Sequence, residues 1–214
     1  MKIAVDIDNT IIDYRVLIIK YLKKYENDFL RESQLNHEKS INLIKKNIKD
    51  NLGDNIWQKI QAIIYSSKNE INFYENVENS FELIGNLGYS INLISHKSKY
   101  GIGESRNTNI REIATTRVYD WIYKSKFKKY VTSINFCESF DEKLDRLSNL
   151  KPNIIIDDLL KVHLEYKKLS KIENVKFLLF NGTNIQGDSN NFLIKNIEIM
   201  NDWNSITNYI YNLK

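Results

Sequence analysis

The sequence predicts an α/β fold in which a parallel sheet is covered by helices on both faces. Short apolar runs, the signature of strands buried on both sides, alternate with segments whose apolar residues recur at helical spacing. Three of these runs, Ile3-Ala4-Val5, Ile91-Asn92-Leu93-Ile94 and Asn153-Ile154-Ile155-Ile156, also stop at a polar residue: Asp6, Ser95 and Asp157. Ligands of parallel sheets bind beyond the carboxyl ends of the strands, so these distant positions are expected to share one crevice.

The first strand, residues 3–5, is followed by a long helical stretch. Val16, Ile19 and Leu22, with Ile18, fall near one face of a helix over 15–24. Ile41, Ile44 and Ile48 repeat that spacing, as do Ile56, Ile60, Ile63 and Ile64, and Gly53-Asp54 marks a break and a helix start between them. Residues 14–72 therefore read as a helical insert, with 1–13 and 73–214 forming the α/β core. In the core, a helix over 76–87 turns Val77, Phe81, Ile84 and Leu87 inward, and Gly88 offers its stop. A strand at 89–94, a helix at 109–123, a strand at 130–135 and a helix at 141–150 follow. The strand at 153–156, a helix at 159–170, strands at 175–180 and 197–200 and a closing helix at 204–213 complete the pattern. The polar stretch 182–191 reads as an exposed loop. Asn181-Gly182-Thr183 fits a glycosylation sequon but reads as a turn after a strand.

A chain of 214 residues with 42% apolar residues and one proline can bury a full core. Its one cysteine, Cys137, has no internal disulfide partner and reads as a small apolar filler. With no apolar run behind basic residues at the start, a cytoplasmic, reducing setting is expected. No apolar stretch approaches the roughly 20 residues that span a bilayer. The formal charge of +4 is a small excess of 31 Lys and Arg over 27 Asp and Glu. Lysine-rich runs at 20–24, 45–49 and 124–129 read as solvated helix faces, without a recognition fingerprint, which argues against nucleic acid as a partner. His37, His96 and His163 lack metal-ligand spacing and read as surface or turn residues. Tyr14, Tyr21, Tyr25, Trp57 and Tyr65 fit helix packing in the insert better than a base-stacking pocket.

Asp6 and Asp8 share a face of the extended chain leaving the first strand, where two like charges raise each other's pKa unless a cation lies between them. A hard divalent ion, Mg2+, suits a few carboxylates plus water and substrate phosphate. A buried strand ending in the adjacent acids Asp157-Asp158 carries the same desolvation cost and asks for the same compensation.

Taken in order, Asp6-Ile7-Asp8-Asn9-Thr10, Ser95, Lys143 within Asp141-Glu142-Lys143-Leu144, and Asp157-Asp158 resemble the four motifs of haloacid dehalogenase (HAD) superfamily phosphatases. The resemblance covers the whole chain. It implies a Rossmann-like sheet with a helical cap inserted after the first motif, and it extends to 5'(3')-deoxyribonucleotidase-like members. It implies that Asp6 is the nucleophile and that Asp8 protonates the leaving group and then activates water, the second acid that dehalogenases lack. Thr10 would support the turn, Ser95 would donate to a phosphoryl oxygen, and Lys143 would offset charge between nucleophile and phosphate. Lys126, Lys128 and Lys129 are alternatives for that cation. Mg2+ would be held by Asp6, the backbone carbonyl of Asp8 and Asp157, with Asp158 acting through water or as a partner of Lys143. His96 and Lys97, and more weakly Lys99 and Arg106, lie just past Ser95, where relatives place substrate contacts. Asn9 stands where many relatives have Gly, and Asn tolerates the positive φ such a turn needs.

The implied activity is Mg-dependent hydrolysis of a small soluble phosphate ester through an aspartyl-phosphate, with a nucleotide as first substrate and a sugar phosphate next. A phosphotransferase or mutase would share every core residue. A non-catalytic phospho-ligand-binding module is the alternative of another class, and a nucleic-acid end phosphatase rests only on 124–129. Oligomeric state is not written in the sequence.

Overall fold

The structure is a computed structural model that describes residues 1–36, 38–66, 72–101, 106–169, 174–182 and 196–213. In chain order the elements are β1 (Lys2–Val5), α1 (Arg15–Tyr25), α2 (Asn27–Ser33), α3 (Ile41–Leu52), α4 (Asp54–Ser66), α5 (Val77–Asn86), β2 (Ser90–His96) and α6 (Ile110–Lys124). A 3-10 turn (Lys126–Tyr130), β3 (Val131–Cys137), α7 (Phe140–Leu150), β4 (Ile154–Asp157), α8 (Leu160–Leu169), β5 (Lys176–Phe180), β6 (Ile197–Met200) and α9 (Trp203–Tyr211) follow. His37, most of the 182–191 stretch and Thr183 of the sequon lie outside the described residues. Gly182 takes φ 63° two residues after β5.

The six strands order as β3-β2-β1-β4-β5-β6, and every neighbouring pair is parallel. The chain winds outward from β1 to β3 and then crosses back to start β4 on the other side of β1. That reversal makes the β1/β4 boundary the topological switch point, where a crevice opens beyond the strand ends. Val5 pairs with Ile156, and the Asp6 amide donates to the Ile156 carbonyl at 2.9 Å, which sets Asp6 and Asp157 side by side at its mouth.

Alternation along the strands divides the core. Ile3, Val5, Leu93, Ile154 and Ile156 face α5, α6 and α9, while Ala4, Ile94, Ile155 and Phe177 face α7 and α8. Trp203, fully buried at the start of α9, donates its indole N–H to the Thr10 carbonyl at 2.9 Å and so ties the C-terminal helix to the turn after β1.

The insert leaves and rejoins the sheet domain through two paired linkers. Ile12 and Phe73 form an antiparallel bridge, Asp13 N donates to Asn72 O at 2.7 Å, and Tyr74 N donates to Ile11 O at 3.0 Å. Both Asp13 carboxylate oxygens accept from the Arg15 guanidinium at 2.8 Å, and Arg15 Nη1 donates to Gly182 O. This buried clamp sets the rotation of α1, which corrects the expected inner face: Leu17, Ile18 and Leu22 point inward and Val16 is exposed. In α4 likewise Ile60 and Ile64 are buried while Ile63 is exposed. Helix α2 falls within the stretch expected to be helical but was not separately legible, since only the adjacent Phe29 and Leu30 pack against the core and no apolar period marks it. Among the described residues no helix is long and apolar enough to cross a membrane.

Candidate active site

The turn after β1 is built to aim side chains at the crevice. Asn9 takes φ 61°, the left-handed conformation expected of it, and the amides of Thr10, Ile11 and Ile12 close back onto the Ile7 carbonyl. Asp6 follows β1, Asp157 ends β4 and Asp158 begins the next turn. One oxygen from each lies within 4.8 Å of the other two, and all three residues are buried. The oxygens around one six-coordinate Mg2+ are separated by roughly 3 to 4 Å, so this all-oxygen acidic set fits that ion.

Lys143 completes the cluster. Ser139 caps α7 by accepting from Glu142 N, and the helix then sends the lysine side chain under the strand ends. Its Nζ lies 2.6 Å from Asp6 Oδ1 and 2.6 Å from Asp157 Oδ2. Lys126, Lys128 and Lys129 are exposed in and around the 3-10 turn, so among these lysines geometry selects Lys143. Its direct partners are Asp6 and Asp157, the last residue of β4; of the two roles expected of Asp158, that of a direct partner of Lys143 falls to Asp157.

The charges respond in ways that disclose an unmet need. Burial pulls the Lys143 ammonium down, but Asp157 and Asp6 outweigh it and hold the lysine protonated. Burial pushes Asp6 up to about 7, with Asp157 and Asp8 adding to the effect and Lys143 only partly opposing it. Asp158 is raised well above the carboxylate range by burial and then by Asp6 and Asp157. One lysine shared between carboxylates does not balance three buried acids, and a divalent cation would.

Two buried hydroxyls, Thr10 Oγ1 following β1 and Ser95 Oγ near the end of β2, have no hydrogen-bond partner among the described residues. Orphaned buried hydroxyls are costly and point to a ligand that uses them.

Asp8 stands apart from the three-acid cluster, on the side of the insert. Tyr14 donates its hydroxyl to Asp8 Oδ1 at 3.1 Å, and Lys97 Nζ forms an ion pair with Oδ2. Lys97 is buried, its ammonium 3.8 Å from the ring centroid of Tyr65. Tyr65 in turn meets Tyr14 edge to face at 5.3 Å. The sequence placed Lys97 against substrate, whereas its contacts here are with Asp8 and the insert's aromatic residues. Of the five aromatics singled out, Tyr14 and Tyr65 reach the site. Tyr21 and Tyr25 pack on each other, and Trp57 lies in the core beneath Lys45. The role of Tyr14 was not visible in the sequence, since nothing distinguishes it from the other tyrosines of the insert.

Five further residues are placed plainly. His96 ends β2 with an exposed side chain, and its pKa is lowered by partial burial and by Lys143 and Lys97. Lys99 and Arg106 are exposed, and the Lys99 amide is held by Glu138. His163 corrects the surface reading: it is fully buried on α8, and its ring Nε2 lies 3.1 Å from the Asp157 carbonyl, which only a donor can satisfy. Cys137 is buried at the end of β3, as expected of a filler. A cavity of about 730 Å³ opens instead beside the linkers, among Asp13, Arg15, Phe73, Tyr74, Phe180 and Trp203. It holds none of the three clustered acids, which lie at the strand ends.

No family model and no curated protein sequence matches the chain. Solved structures do, over nearly the whole length. A HAD-superfamily hydrolase from Ehrlichia chaffeensis has a TM-score of 0.53 at 13% identity, with 99% of this chain and 96% of that one covered. A Clostridium difficile protein named a "putative phosphatase" has a TM-score of 0.58 at 13% identity, covering 98% and 97%. Bacillus subtilis YfnB, in a magnesium-bound crystal form, has a TM-score of 0.52 at 13% identity, covering 98% and 97%. These likenesses establish that the chain has the HAD-like α/β fold.

Proposed function

We propose that this chain is a magnesium-dependent phosphomonoesterase that works through a phosphorylated Asp6 on a small soluble phosphate ester. The observation that carries the reading is Lys143 bridging Asp6 and Asp157 at the switch point, with Asp158 in the same cluster. Similarity to solved HAD hydrolases supports it at the level of fold.

Asp6 attacks phosphorus, and a bond forms between its carboxylate oxygen and phosphorus as the bond to the leaving oxygen breaks. Asp8 supplies the proton that the leaving oxygen needs. Asp8 then takes a proton from water, the water oxygen bonds to phosphorus, and the Asp6 carboxylate is released with inorganic phosphate. Lys143 holds Asp6 and neutralises charge, and the free hydroxyls of Ser95 and Thr10 serve phosphoryl oxygens and the turn. Asp6, Asp157, Asp158 and the Asp8 carbonyl would hold Mg2+, which neutralises the charge of the transferring phosphoryl group when bound. Tyr14 and Lys97 keep Asp8 oriented.

Residues 14–72 act as a cap over this crevice, moving about the paired linkers and selecting the leaving group. Tyr14 meets Tyr65 edge to face and Lys97 lies over the Tyr65 ring, contacts that support Asp8, and a nucleotide stays the first substrate class with a sugar phosphate next. A single buried thiol accords with a cytoplasmic setting.

The test is hydrolysis of 4-nitrophenyl phosphate by purified protein with Mg2+, silenced by a chelator and restored by the ion. Turnover that survives chelation contradicts the metal assignment, and phosphate binding without turnover favours a binding module.

A further inference from the structure

The guanidinium of Arg117 carries a signal that the proposed chemistry does not use. Arg117 lies on α6, the core helix that packs against α4 of the insert, the helix bearing Tyr65. Its Nε and Nη2 are buried and have no hydrogen-bond partner among the described residues. The charge is within electrostatic reach of Tyr14 and Asp8, so it sits on the insert side of the site. Asp8 does not serve as its acceptor: the side-chain partners of its carboxylate are Tyr14 at Oδ1 and Lys97 at Oδ2.

An arginine fork with two sheltered donors is shaped for a planar or tetrahedral oxyanion, and leaving such donors unpaired is costly. In the proposed reaction the phosphoryl group is provided for by Lys143, Ser95 and the acid cluster, which leaves Arg117 for the alcohol part of the ester.

Resting on the phosphatase reading above, we propose that Arg117 is a specificity residue that binds a second anionic group on the leaving alcohol, a carboxylate or a second phosphate. The substrate is then a phosphorylated hydroxy acid or a bisphosphate rather than a neutral sugar or polyol monophosphate. Lys97, buried 3.8 Å from the Tyr65 ring centroid, adds positive field on the same side.

Two matched pairs test this. 3-Phosphoglycerate and glycerol 3-phosphate differ by a carboxylate, and fructose 1,6-bisphosphate and fructose 6-phosphate differ by a phosphate. The wild type should favour the more anionic member of at least one pair by about tenfold to a hundredfold in kcat/KM, and the pair that shows it identifies the anion. Arg117→Ala should collapse that ratio through KM, and Arg117→Lys should restore part of it. Arg117→Gln replaces the alanine variant if circular dichroism shows the latter misfolded. Calorimetric binding of the same four esters to the Asp6→Asn protein reads the preference without turnover. Hydrolysis of 4-nitrophenyl phosphate with no preference in either pair, or a preference untouched by Arg117→Ala, overturns this inference alone. Absence of all hydrolysis overturns the phosphatase reading, and the binding arm still decides the role of Arg117.

Discussion

Lys143 Nζ lies 2.6 Å from Asp6 Oδ1, although the two residues are 137 positions apart in the chain. The contact exists because β1 and β4 are neighbours, α7 precedes β4, and the Ser139 cap directs the first turn of α7 at the strand ends. One ammonium thus offsets two carboxylates that the sheet register forces together.

Lys143→Met should leave that acid pair buried and unpaired. Breaking a buried pair costs about 3–5 kcal/mol, and loss of an electrostatic stabiliser lowers kcat by about a hundredfold to a thousandfold. Urea unfolding without Mg2+ and aryl phosphate turnover with it measure the two effects. Unchanged stability in the metal-free variant would show that the lysine does not carry this load.

Stability should depend on pH with a definite sign. Asp6 is raised from 3.8 to about 7, so between those values the folded protein holds a proton that the unfolded chain has released. The metal-free protein therefore loses stability as pH rises from about 4 through about 7, and Asp158, raised in the same sense, adds to the loss. Mg2+ relieves the repulsion of the ionised acids, so it should raise Tm much more at pH 8 than at pH 5. Thermal melts in chelator and in Mg2+ at both values check this, and a larger effect at pH 5 would contradict it.

Tyr14→Phe keeps the ring against Tyr65 and removes the donor to Asp8. A hydrogen bond worth about 0.5–1.5 kcal/mol corresponds to a loss of about twofold to tenfold in kcat. Lys97→Met, which removes the charged partner, should cost more. Steady-state rates on one ester order the two variants, and the reverse order would count against Lys97 as the main support of Asp8.

Trp203 tests the link between the C-terminal helix and the nucleophile turn. Trp203→Phe removes the bond to the Thr10 carbonyl and should cost about 1 kcal/mol, while Trp203→Ala should cost about 3–5 kcal/mol through the cavity it leaves. Denaturant midpoints provide the comparison. A phenylalanine variant as unstable as the alanine one would place the whole effect in the hydrogen bond.

The core was legible because its signals are local. Apolar runs at 3–5 and 153–156 mark buried strands whatever lies around them, and Asp6, Asp8 and Asp157-Asp158 stand at their ends. Lys143 was legible only through its order among the motifs, since nothing in Asp141-Glu142-Lys143-Leu144 tells a buried lysine from a solvated one. The rotation of α1 was hidden because it depends on Arg15 meeting Asp13 and Gly182. The contacts of Tyr14 and Lys97 with Asp8, and the unpaired donors of Arg117, were hidden for the same reason: they depend on how separate segments meet in the fold, and a helical period records only which face is apolar.

The proposed reaction turns on Asp6 taking the phosphoryl group. The direct measurement is acid quenching of the protein during steady-state turnover with Mg2+, followed by peptide mass spectrometry. A phosphoryl adduct on Asp6, absent from Asp6→Asn, is the expected result. An unmodified Asp6 peptide during turnover, or an adduct on another residue, would contradict it.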